Sequence, residues 1–231
     1  LLSGLIGIGV PFLQLFIGAG FIAHGDQHIP AVALGQRLCR SKDHFRLGFA
    51  LIVMAIDLNP DQDFLGDLFM SLGLGNDAGG QFFTPYCVCR AMAGMTYRDV
   101  LKAKIEKQGW VSVNDPACGA GALLIAFANE CLRPDIDINY QTSVLFVAQD
   151  IDLIAGCMCY IQLSLLGCPG YVVVANTLTN PSTSIDGRAL IPVPNENIWY
   201  TPFYFRDVWH WRRQFWRVQA LLDAVPAPPL P

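Results

Sequence analysis

The chain has 231 residues, of which 53% are hydrophobic and only 15% charged, which excludes both a disordered chain and a Lys- and Glu-rich coiled coil. Fifteen Lys and Arg against nineteen Asp and Glu leave a net charge of −4, so no global basic field holds nucleic acid and any such contact is local or supplied by a partner. Eight cysteines are too sparse for a disulfide-stapled small domain, and several lie in apolar segments, which predicts reduced, buried thiols and a cytoplasmic protein.

Residues 1–23 carry no charged side chain. About 20 apolar residues suffice to span a bilayer, but Pro11, Gln14 and five glycines argue against a span. The basic start of a signal peptide is absent as well. The segment reads as an apolar stretch folded onto the body, in preference to a membrane anchor. Lacking an initiator Met, the sequence reads as a fragment or an altered N-terminus. Residues 45–56 form an apolar helical run closed by Asn59-Pro60. Asp61 is placed to cap a helix reaching about residue 74, with Phe64, Leu65, Leu68, Phe69 and Leu72 on one face. Residues 1–78 thus make a helical, apolar N-terminal region.

Glycines at 73, 75, 79 and 80 then break the chain. Thr84-Pro85 has the chemistry of a helix start, a capping hydroxyl followed by a Pro in the first turn. A polar helix follows over 98–108. Val111-Ser112-Val113 reads as a strand, and Asp115-Pro116-Ala117-Cys118-Gly119-Ala120-Gly121 as a loop before a helix over 123–131. A second strand over 144–147 ends in Gln149-Asp150-Ile151-Asp152, a helix runs to about 166, and a third strand covers 171–174. Strand, glycine loop, helix, strand, helix, strand predicts a parallel α/β sheet, whose ligands lie beyond the carboxyl ends of the strands.

Gly119 and Gly121 allow close backbone approach to a bound group. Asp150, acidic at the end of the next strand, is placed to accept two ribose hydroxyls. The pair fits a dinucleotide or an adenosyl cofactor. A dinucleotide fingerprint needs a third glycine where Leu124 stands, and no Gly-Lys-Ser/Thr of a phosphate loop follows.

Gly80-Gln81-Phe82-Phe83-Thr84-Pro85, Asp115-Pro116-Ala117-Cys118-Gly119-Ala120-Gly121 and Gln149-Asp150-Ile151-Asp152 occur in that order. The chain thereby resembles the adenine-N6 DNA methyltransferases, in particular the modification subunit of type I restriction systems and its small plasmid or phage relatives. The resemblance covers roughly residues 61–204. It implies a Rossmann-like, S-adenosylmethionine-dependent methyltransferase sheet over 79–205, preceded by the helical region. Residue by residue, it implies Phe83, Thr84 and Pro85 against the methionine end of S-adenosylmethionine. Asp115, Ala117, Gly119 and Gly121 would lie under its amino-acid moiety, with Asp150 on the ribose, Ile151 on the adenine and Asn176 at the adenine edge. Plainer roles exist for each: a helix cap for Thr84 and Asp150, a tight turn for the glycines. The ordered set favours cofactor binding.

The family also carries Asn/Asp-Pro-Pro-Tyr/Phe after a strand, to hold the target amine and stack on the flipped base. Two remnants stand here. Asn180-Pro181-Ser182-Thr183 keeps the Asn but lacks the second Pro and the aromatic. Thr201-Pro202-Phe203-Tyr204 follows a predicted strand over 198–200 and keeps Pro and aromatics but replaces Asn with Thr; on position it is the preferred catalytic site. The 27 residues after Tyr204 are too few for the remaining strands of the family's sheet, so the sheet is expected to be incomplete at its C-terminus.

Cys87-x-Cys89 and Cys157-x-Cys159 lie on predicted helices, where residues two apart point about 200° apart, so no metal site is expected. The four histidines show no ligand spacing. Residues 206–225 predict a helix with Val208, Trp211, Phe215, Val218 and Leu222 on a docking face and Arg212, Arg213 and Arg217 solvated or, less favoured, on DNA phosphate; a Pro-rich tail follows, so that 206–231 is a C-terminal appendage. The resulting expectation is an S-adenosylmethionine-dependent adenine-N6 DNA methyltransferase, or a subunit of one, acting on DNA with target recognition supplied by a protein partner. Methylation by this chain alone is expected to be weak or absent. A non-catalytic cofactor-binding or assembly subunit is the alternative, and a small-molecule methyltransferase a weaker one.

Overall fold

The structure, a computed structural model, describes residues 46–73, 83–95, 98–194 and 196–223. The chain divides into two compact units, Leu1–Gly48 and Phe49–Pro231, and the sheet with its helices belongs to the second. The apolar segment 1–23, the histidines at 24, 28 and 44, Gly80-Gln81-Phe82 and the Pro-rich tail lie outside the described residues. Among the described residues no helix is long and apolar enough to cross a membrane.

Four strands form one sheet in the order β1 (Val111–Asp115), β2 (Val144–Asp150), β3 (Gly170–Val174), β4 (Ile198–Tyr200). The first three pair parallel, Asp115 opposite Ala148 and Asp150 opposite Val174. β3 and the first five residues of β2 are continuous apolar runs, and Val144 to Gln149 are buried without a break. That is the pattern of strands covered on both faces. β4 runs antiparallel to β3, with Tyr200 opposite Tyr171. The predicted strands and their intervening helices are therefore present, with β4 reversed.

Seven helices complete the described unit beyond a helical segment over 49–58. They are α1 (Phe64–Ser71), α2 (Tyr86–Met95), α3 (Arg98–Gln108), α4 (Ala122–Cys131), α5 (Tyr140–Ser143), α6 (Leu153–Leu165) and α7 (Asp207–Asp223). α1 begins later than predicted. Asp63 is its cap, accepting the Gly66 N–H at 3.0 Å, and Leu65 and Phe69 are buried while Leu68 and Leu72 are exposed. Asp61 instead accepts the Tyr86 hydroxyl at 2.7 Å and pairs with Arg90 at 3.5 Å.

Alternation along the strands divides the core. Leu145, Val147, Tyr171 and Val173 pack with Trp110, Tyr204 and Trp209. On the opposite face Phe146 meets Phe127 of α4 edge-on at 6.4 Å, and Gly156 of α6 lies against Val172 and Val174. The predicted docking face of α7 is wrong. Trp209 is fully buried and Arg213 is buried, whereas Trp211 is 68% and Phe215 72% exposed. The reason is polar: the Trp209 indole N–H donates to the Gln141 carbonyl at 2.9 Å, and Arg213 donates to the Tyr204 carbonyl at 2.8 Å while stacking on the Tyr204 ring. Arg212 likewise donates to the carbonyls of Thr142 and Gly109. Backbone acceptors at the sheet's N-terminal end thus attract the arginine side of the helix.

Candidate functional site

The parallel strands bring three loops to the sheet's carboxyl edge. The first, after β1, is shaped by its glycines. Gly119 has φ +53° and Gly121 φ +97°, backbone that side chains rarely adopt. A Cβ on Gly119 would stand 3.1 Å from the Phe83 ring, and one on Gly121 would stand 2.9 Å from the Cys159 sulfur. The turn is closed by the Gly121 N–H donating to the Cys118 carbonyl and the Ala117 N–H donating to the Asp115 carboxylate. Asp150, at the end of β2, accepts the Gly119 N–H on Oδ2 at 2.8 Å and the Asp152 N–H on Oδ1 at 2.9 Å. Both predicted partners, the glycine loop and the acidic strand end, therefore meet at one place.

The third loop follows β3. Asn176 folds into a turn by accepting the Leu178 N–H at 2.9 Å, and Thr177 donates its hydroxyl to the Pro116 carbonyl of the first loop. Buried Gln149 staples the loop from below, donating to the Ala175 and Asn180 carbonyls and accepting the Ser182 N–H. Ile151, 69% exposed, stands beside Asp150 at the rim.

Phe83, Thr84, Asp115, Ala117 and Gly119 line one cavity of about 150 Å³. Pockets that enclose a whole small ligand run to roughly 300–1,000 Å³, so this cavity suits one end of a ligand whose remainder lies along the rim. Phe83 is stacked on Phe69 at 5.6 Å, which fixes one wall. Pro85 opens the turn into α2, its carbonyl accepting the Val88 N–H. Burial holds the Asp115 carboxyl above the usual carboxylate range, opposed by the Ala117 N–H and reinforced by the charge of Asp150. Cys89 is pushed up to about 11 by burial and by the negative charges of Asp63 and Asp115, which leaves its thiol neutral.

Thr201-Pro202-Phe203-Tyr204 does not join this site, which corrects the preferred catalytic assignment. Because β4 is antiparallel, the segment leaves the sheet at the end opposite the glycine loop. Thr201 is fully buried there, its hydroxyl accepting the Gly170 N–H at 3.0 Å and donating to the Cys168 carbonyl at 2.7 Å. Tyr204 is buried and donates to the Leu190 carbonyl at 2.8 Å. Phe203 sits under the Arg206 guanidinium. Pro202 opens the 3₁₀ turn Pro202–Phe205. Asn180, ranked second from sequence, is exposed and lies in the loop over the carboxyl edge. Of the two remnants, Asn180 is the one that lies on the same edge of the sheet as the glycine loop.

Sequence reasoning passed over Asp63, which also lines the cavity, and Gln162, which donates to the Asp63 carboxylate at 2.7 Å and to the Ala120 carbonyl at 2.9 Å. A signal existed: Gln162 and Gln149 are amides inside otherwise apolar elements, and a buried amide must have polar partners.

A family model described as N-6 DNA methylase matches residues 63–212, which lie within the second unit. Neither a curated protein nor a solved structure matches the chain.

Proposed function

The chain belongs to the N-6 DNA methylase family, and from that premise we propose that it binds S-adenosylmethionine along the carboxyl edge of its sheet and serves methylation of adenine N6 in DNA. One observation carries the reading: the Asp150 carboxylate holds the Gly119 N–H, so that the acidic strand end and the glycine loop form one site. The residues fit the cofactor. Side chains at Gly119 and Gly121 would fill the cradle. Asp115 and Asp150 are acceptors for an ammonium and for ribose hydroxyls, and exposed Ile151 offers an apolar surface to an adenine face.

When bound, the cofactor supplies an electrophilic methyl group on its sulfonium. The chain's own part is to position: Phe83 walls the amino-acid end, the loop backbone supports it, Asp150 fixes the ribose and Asn176 borders the base. An adenine in duplex DNA would have to be flipped out to reach this edge. Holding its amine requires acceptors there, since positioning supplies much of the rate. Asn180 is the one remnant on the correct edge, and it lacks the Pro-Pro-aromatic context. We therefore infer that the chain binds the cofactor and transfers little or no methyl alone, with a partner subunit supplying target recognition and the missing base contacts. The burial of Thr201 and Tyr204 at the far end of the sheet favours this over a self-sufficient enzyme.

Incubation with methyl-tritiated cofactor and unmodified DNA separates the cases. Retained cofactor without labelled N6-methyladenine is the expected result. Robust label in DNA from the purified chain would make it a complete enzyme, and no retained cofactor would remove the reading altogether.

A further inference from the structure

Among the described residues Asp63 is the one acidic side chain buried from solvent, at 2% exposure. As a helix cap it has no need of charge, because Asn or Ser caps about as well as Asp. Taking a carboxylate out of water is costly unless a cation or several donors meet it. Here the Gly66 N–H and the Gln162 amide donate to it, both to Oδ1, at 3.0 and 2.7 Å, and among the described residues no Lys or Arg pairs with it. Burial holds the carboxyl above its usual range. Asp63 also lines the cavity with Thr84, Phe83 and Asp115. Gln162 ties it in place: the amide is 1% exposed, accepts the Leu65 N–H, and donates also to the Ala120 carbonyl of the glycine loop. A cavity with two acids on its wall and no described base selects a cationic group.

We propose that Asp63 is the counter-charge for the ammonium group at the amino-acid end of S-adenosylmethionine, held toward the cavity by Gln162. This rests on the cofactor reading above and adds to it a binding residue 52 positions upstream of Asp115. Asp63→Asn removes the charge while keeping an acceptor for Gly66 and Gln162. Its cap, and hence its fold, is retained.

The test is calorimetry on the full chain with S-adenosylhomocysteine, with its deaminated analogue, and with 5′-methylthioadenosine, which lacks the amino-acid end. Asp63→Asn should weaken S-adenosylhomocysteine by roughly tenfold or more, as expected for a hydrogen bond between charged groups, and leave 5′-methylthioadenosine unchanged. In the wild type the deaminated analogue should lose at least a similar factor, and that loss should shrink in the variant, since the two changes share one contact while Asp115 remains. Equal weakening of all three ligands would make Asp63 a structural cap only and overturn the proposal, as would undiminished binding of S-adenosylhomocysteine. Should the variant not fold, equal wild-type affinity for the deaminated analogue overturns it independently. A wild type that binds none of the three defeats the cofactor reading itself, which distinguishes that failure from this one.

Discussion

Asp150 Oδ2 and the Gly119 backbone N–H lie 2.8 Å apart across 31 residues of sequence. The bond draws the glycine loop onto the end of β2. It does not exhaust the carboxylate, because each ionised oxygen has two acceptor sites. With one site on each oxygen taken by Gly119 and Asp152, two remain, one for each hydroxyl of a ribose.

Alanine at the two loop glycines separates core crowding from ligand contact. Gly121→Ala forces a side chain into left-handed backbone, at about 1–2 kcal/mol, and against a buried sulfur 2.9 Å away, where overpacking adds about 1–3 kcal/mol. Gly119→Ala carries the same left-handed strain but meets only the ring of half-buried Phe83, 3.1 Å away. Urea unfolding should show the larger loss for Gly121→Ala, and cofactor titration should show that Gly119→Ala loses affinity beyond its loss of stability. The reverse order of stabilities would mean the loop is shaped by something other than these contacts.

Thr201→Val distinguishes structural from catalytic threonine. The substitution preserves shape but strands the Gly170 N–H and the Cys168 carbonyl, both buried, at a cost of about 1–3 kcal/mol. Affinity for S-adenosylhomocysteine should be unchanged. A stable variant with altered ligand affinity would return Thr201 to the active site.

How far the molecule was legible in sequence follows from what each residue's partners require. The glycine loop, the acidic strand end and the helices around them were readable because their signals are local: a turn needs glycine, a cap needs an oxygen. Direction is not local. Nothing in Ile198-Trp199-Tyr200 says that the strand runs antiparallel, and that reversal alone carries Thr201 to the wrong end of the sheet. The face of α7 was misread for a related reason. Apolar periodicity marked Trp211 and Phe215, whereas the helix is anchored by the polar atoms of Trp209, Arg212 and Arg213 reaching carbonyls 68 to 103 residues upstream or, for Tyr204, in the preceding turn.

That anchoring yields a direct contrast. Trp209 is fully buried beside Trp110, ring centroids 5.6 Å apart, and Trp211 is 68% exposed. Trp209→Ala should cost about 3–5 kcal/mol, and Trp211→Ala should stay within about 0.5 kcal/mol. Similar losses at the two positions in a denaturant titration would mean that α7 docks by its other face.

The raised pKa of buried Asp63 makes stability depend on pH with a definite sign. Between the usual carboxyl range and the raised value, the folded chain holds the proton that the unfolded chain has released. Stability therefore falls as pH rises through that window and levels above it. Asn does not titrate, so the stability of the wild type relative to Asp63→Asn should decline from acidic towards neutral pH. Unfolding free energies of the pair across that range check it; a difference that grows in favour of the wild type as pH rises would show the carboxylate is stabilised, not penalised, by its surroundings.

Isothermal titration of S-adenosylhomocysteine into the wild type, Asp150→Ala and Thr201→Val tests most directly whether the cofactor lies along the carboxyl edge. The wild type should bind at one site, Asp150→Ala at least about tenfold more weakly through loss of its charged acceptor, and Thr201→Val with wild-type affinity. Absence of binding in the wild type, or equal affinity in the wild type and Asp150→Ala, would contradict it.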